Sequence, residues 1–88
     1  MIKLLLVDDE PLVLIGLQSM LKWADYDIEI CGCAHNGEEA LSMIEKDFPD
    51  IVIADLKIPL KSGLEVMKIC SEKYGRLPLF IVLTSFEE

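Results

Sequence analysis

The sequence predicts an open α/β sheet of parallel strands with helices packed on it, and three observations carry that reading. Residues 2–7, 51–54 and 79–83 are apolar runs rich in Ile, Val and Leu, the signature of strands covered on both faces. The stretches between them repeat their apolar residues at helical spacing. Acids or a hydroxyl stand directly after three of the runs, so polar groups collect at one end of the sheet.

Taken in order, Ile2 to Val7 form the first strand, and Asp8-Asp9-Glu10-Pro11 opens a helix. Acids at a helix start and proline near the first helical position are both favourable there. Leu12, Ile15, Gly16, Ser19, Met20 and Trp23 extend the helical pattern over residues 11–23, and residues 24–27 read as a loop. Trp23 and Tyr26 are expected to cover the end of that helix. Residues 28–33 alternate, with Ile28 and Ile30 opposed by Glu29, as in an edge strand. His35-Asn36-Gly37 ends this strand, and the lone histidine His35 reads as a surface residue. Asn36 with Glu39 three residues on is a capping-box start for a helix carrying Ala40, Leu41 and Ile44. Phe48-Pro49 stops it, and residues 51–55 are the third strand. Pro59 forces a turn. Ser62 then caps a helix carrying Leu64, Met67 and Cys70, which runs to about Tyr74-Gly75. Residues 79–83 form the fourth strand, followed by Thr84-Ser85.

The alternation β-α-β-α-β-α-β with tight connections implies right-handed crossovers and a parallel sheet. An edge-like second strand beside interior first and third strands fits the order 2-1-3-4 of a flavodoxin-like sheet. The fourth strand should then be interior as well. The sequence stops five residues after it, so the fifth strand and the last two helices of such a sheet are expected to be missing.

The 88 residues make one domain, residues 1–88, with 52% apolar residues and a mean hydropathy of +0.40. No apolar run approaches the roughly 18 residues that span a membrane. A net charge of −8 argues against direct nucleic-acid binding, which needs a basic footprint. Cys31, Cys33 and Cys70 are an odd set without paired Cys-x-x-Cys spacing or a signal peptide, which favours reduced, buried thiols and a cytoplasmic setting.

In open α/β sheets ligands bind at the carboxyl ends of the strands, where strand order reverses. Here that point collects Asp8, Asp9, Asp55 and Thr84. Three carboxylates about 4 Å apart repel by some 4 kcal/mol per pair at an effective dielectric of 20. Either one keeps a proton or a cation sits among them. Oxygen-only ligands select a hard ion such as Mg²⁺, beside which a carboxylate can attack phosphorus. Thr84 offers a hydroxyl donor for a phosphate oxygen. No glycine-rich nucleotide loop follows the first strand.

The segments Leu4-Leu5-Leu6-Val7-Asp8-Asp9-Glu10-Pro11, Asn36-Gly37-Glu38-Glu39-Ala40-Leu41 and Pro49-Asp50-Ile51-Val52-Ile53-Ala54-Asp55, then Pro59 with Gly63 and Leu83-Thr84-Ser85, resemble the receiver domain of bacterial two-component response regulators. The likeness runs along essentially the whole chain. The surroundings of Trp23, the Thr84-Ser85-Phe86 ending and Glu87 resemble receivers attached to AraC-type DNA-binding domains. The resemblance implies that Asp55 accepts phosphate from a sensor histidine kinase. It implies that Asp8, Asp9, Asp55 and the backbone carbonyl of Lys57 hold Mg²⁺. Thr84 would be the switch hydroxyl, and Ser85 the small residue that leaves room for the phosphoryl group. The family's lysine and switch aromatic of strand five have no counterpart.

Lys57, with Lys61 nearby, reads first as a solvated loop lysine; the sharper reading has it slow water attack on a phosphorylated Asp55. Two other functions compete with a phosphoacceptor that is not itself an enzyme. A Mg²⁺-dependent phosphatase with an aspartate nucleophile would need an acid where Lys57 stands. A pseudo-receiver would assemble without phosphorylation. The bare side of the fourth strand predicts self-association by edge pairing, face packing or swapping.

Overall fold

A computed structural model describes residues 1–55 and 63–83. Its elements are β1 (Ile2–Val7), α1 (Pro11–Ser19), a 3₁₀ turn (Trp23–Tyr26), β2 (Ile28–Ala34), α2 (Gly37–Lys46), β3 (Ile51–Asp55), α3 (Gly63–Tyr74) and β4 (Leu79–Leu83). The strands are parallel in the order β2-β1-β3-β4, as predicted. Lys57, Pro59, Lys61, the Ser62 cap, Thr84 and Ser85 lie outside the described residues.

Alternation along β1 divides the core into two layers. Leu5 and Val7 point to the face covered by α2 and α3, where Ala40, Ile44, Val66 and Cys70 close over them. Leu4 and Leu6 point the other way, toward Leu14 of α1. All four β1 side chains are buried, which is why this strand tolerates no polar residue between Leu4 and Val7.

β2 holds an irregularity that simple alternation misses. Its register against β1 slips between Leu4, opposite Ile30, and Leu5, opposite Gly32, so Cys31 is an extra residue in a bulge. The slip leaves Ile28, Ile30 and Cys33 on the α1 side and Ala34 on the α2 side. A Cβ at Gly32 would lie 3.2 Å from Met43 Sδ and 3.4 Å from Leu5 Cδ1, so glycine gives α2 its seat. The bulge also corrects the picture of three buried thiols: Cys70 is buried, Cys33 half-buried and Cys31 exposed, all free.

The first helix is shorter than its apolar spacing suggests. The indole N–H of Trp23 donates to the carbonyl of Leu17 at 3.0 Å, an acceptor that a continuing helix would give to the N–H of residue 21. The chain therefore turns after Ser19 through the 3₁₀ turn Trp23–Tyr26, and Asp27 follows with a φ of 59°. Trp23 packs under α1 as expected, whereas Tyr26 is exposed. In α2 the expected cap is present: Asn36 Oδ1 accepts from the N–H of Glu39 at 2.8 Å. Its last turn stops at Lys46, two residues before Phe48. In α3 the buried face is Gly63, Val66 and Cys70, and Leu64 is exposed. Gly75, with a φ of 67°, ends that helix and donates its N–H to Ser71.

β4 is interior in the complete sheet the strand order implies, and in this chain its outer side is expected to be uncovered. Among the described residues its one sheet neighbour is β3, and Leu79, Ile81 and Val82 remain exposed. At the opposite end of the strands, Asp50 fastens three of them. Its carboxylate accepts the N–H of Lys3 at 2.8 Å, its N–H donates to the Lys3 carbonyl at 2.9 Å, and its carbonyl accepts the N–H of Leu79 at 2.9 Å. The Lys3 ammonium pairs with Asp47 beside it.

Asn36→Ala removes the α2 cap and should cost about 1 kcal/mol in urea unfolding. Iodoacetamide should label Cys31 before Cys33, with Cys70 reacting only on unfolding. Burial pushes all three thiols up, and the charge of Asp47 adds to this at Cys31. The Cys31 labelling rate should therefore still be climbing past pH 9.0, the ordinary thiol value.

Candidate metal centre at the strand ends

β1 and β3 run side by side with Val7 opposite Ala54. Because both strands are parallel, each next residue emerges at the same edge, and these are Asp8 and Asp55. Asp9 follows Asp8 into the connection to α1. One carboxylate oxygen each from Asp8, Asp9 and Asp55 lies within 4.8 Å of the others. The three acids singled out in the sequence thus meet at one point, between β1 and β3 where strand order reverses.

Their environments differ. Asp8 is 4% exposed, Asp55 is half-buried and Asp9 is exposed. Asp8 is held from two sides: its N–H donates to the Ala34 carbonyl at 3.0 Å, and its Oδ1 accepts from the backbone N–H of Glu10 at 2.9 Å. The second bond leaves Glu10 at the N-cap of α1, with Pro11 opening the helix and no acid in its first turn. The cluster of acids therefore precedes the helix instead of lying within it. Gly63 opens α3 against Asp55: a Cβ there would stand 3.7 Å from the Asp55 carbonyl oxygen.

Burial pushes the Asp8 carboxyl above the usual carboxylate range. The Glu10 N–H opposes that shift, and the charges of Asp55 and Asp9 reinforce it. A buried carboxylate facing two others is costly when ionised and becomes favourable when a cation is shared. The donor set is all oxygen, which suits a hard divalent ion. The residues present therefore fit a Mg²⁺ site, with Asp8 the buried carboxylate of the three.

Sequence reasoning missed two contributors. The Glu10 backbone N–H that orients Asp8 carries no side-chain signal. On the neighbouring rim, Glu39 is engaged by His35 Nδ1 at 3.2 Å and by Asn36 Nδ2 at 3.3 Å. The four-residue spacing of His35 and Glu39 after the strand was the available clue. His35 is exposed, as expected.

The response regulator receiver domain family matches residues 4–88. The transcriptional regulatory protein BtsR of Salmonella typhi is 40% identical over all 88 residues, and the chain spans 36% of that protein. The transcriptional regulatory protein HptR of Staphylococcus aureus is 36% identical over 67 residues, and the match spans 27% of its length. Among solved structures, the REC domain of the response regulator AraT from Geobacillus stearothermophilus superposes with a TM-score of 0.84 at 33% identity, over 93% of this chain and 63% of that one. The response regulator domain of Thermotoga maritima CheB gives 0.81 at 27% identity, over 99% of this chain and 63% of that one. With the parallel 2-1-3-4 sheet and three acids at its reversal point, the chain belongs to the response regulator receiver domain family.

Proposed function

We propose that residues 1–88 act as the phosphoacceptor receiver module of a two-component response regulator, phosphorylated at Asp55 by a sensor histidine kinase. The observation that carries this reading is the convergence of Asp8, Asp9 and Asp55 within 4.8 Å at the strand ends. Asp8, Asp9, Asp55 and the backbone carbonyl of Lys57 would hold Mg²⁺, which, when bound, neutralises oxygen charge as phosphorus is attacked.

The chain's own residues set the rest. The β3 ladder holds Asp55, which is half-buried, at the edge of the sheet, and its carboxylate is the proposed nucleophile. A carboxylate oxygen of Asp55 attacks the phosphorus of a phosphohistidine; the P–N bond breaks as the P–O bond forms, and the imidazole of the donor keeps the electron pair. Asp8, oriented by the Glu10 N–H, stays a ligand because its own approach to solvent is closed. Thr84 is the proposed switch hydroxyl, Ser85 is the small residue proposed to leave space for the phosphoryl group, and Lys57 reads first as a solvated loop lysine. The module is a carrier of phosphoryl signal and not a turnover enzyme. Its proposed setting is the cytoplasm, and its own charge of −8 is unsuited to binding a phosphate backbone directly. Among the described residues no helix is long and apolar enough to cross a membrane.

Two outcomes test this. Acetyl phosphate with Mg²⁺ should add one phosphoryl mass at Asp55, and Asp55→Asn should abolish it. Failure of the parent chain to be labelled would instead favour a module that assembles without phosphorylation. In chelator-treated protein, Asp8→Asn should raise stability at neutral pH, read as a higher unfolding midpoint. The sign follows from the raised carboxyl: the protonated form suits the fold, so Asp8 costs nothing below the ordinary value of 3.8 and becomes unfavourable as pH rises through its higher folded value. The same variant should lose the rise in unfolding midpoint that Mg²⁺ gives the parent.

A further inference from the structure

We draw no further inference here: the strongest candidate, the uncharged surface stripe of Leu12, Ile15 and Ser19 on the side of α1 turned away from Leu14 and Leu17, is exposed, but nothing in the structure shows what covers it.

Discussion

Two parallel strands in register, β1 and β3, bring carboxylates together that electrostatics alone would keep apart. Val7 opposite Ala54 is a backbone relation, held by the ladder and by the packing of Leu4, Leu5, Leu6 and Val52. Given that relation, Asp8 and Asp55 have no choice of distance. The energy of the hydrophobic layers is set against a local repulsion of a few kcal/mol. Burial wins because it is spread over many side chains, while the repulsion acts at one edge open to solvent and ions.

Much of this was legible in the chain because the signals are local. Three apolar runs and one alternating stretch marked the four strands, and the Asn36-to-Glu39 spacing marked the start of α2. The acid trio was legible for the same reason, since residues that follow buried parallel strands must emerge together. What escaped depends on contacts distant in sequence. α1 stops at Ser19 because Trp23 folds back onto Leu17, and periodicity cannot show an indole taking a carbonyl. The slip at Cys31 depends on the room that Leu5 and Met43 leave beside Gly32.

Asp8 and Asp55 have like chemistry at one edge and unlike surroundings. Asp8 is enclosed and accepts the Glu10 N–H. Asp55 is half-buried at the end of its strand. On the proposed reading, that difference suits the first to holding a cation and the second to accepting the phosphoryl group.

Asp50 has a further consequence for how firmly the sheet is held. It bonds Lys3 and Leu79 at the edge farthest from the acids, so β1, β3 and β4 are pinned together where they begin. From there the ladders run on to Val7 opposite Ala54 and Asp55 opposite Leu83. The strands that carry the acids are thus tied at both ends, like rungs fixed between two rails. A change of charge at that rim acts against an anchored core.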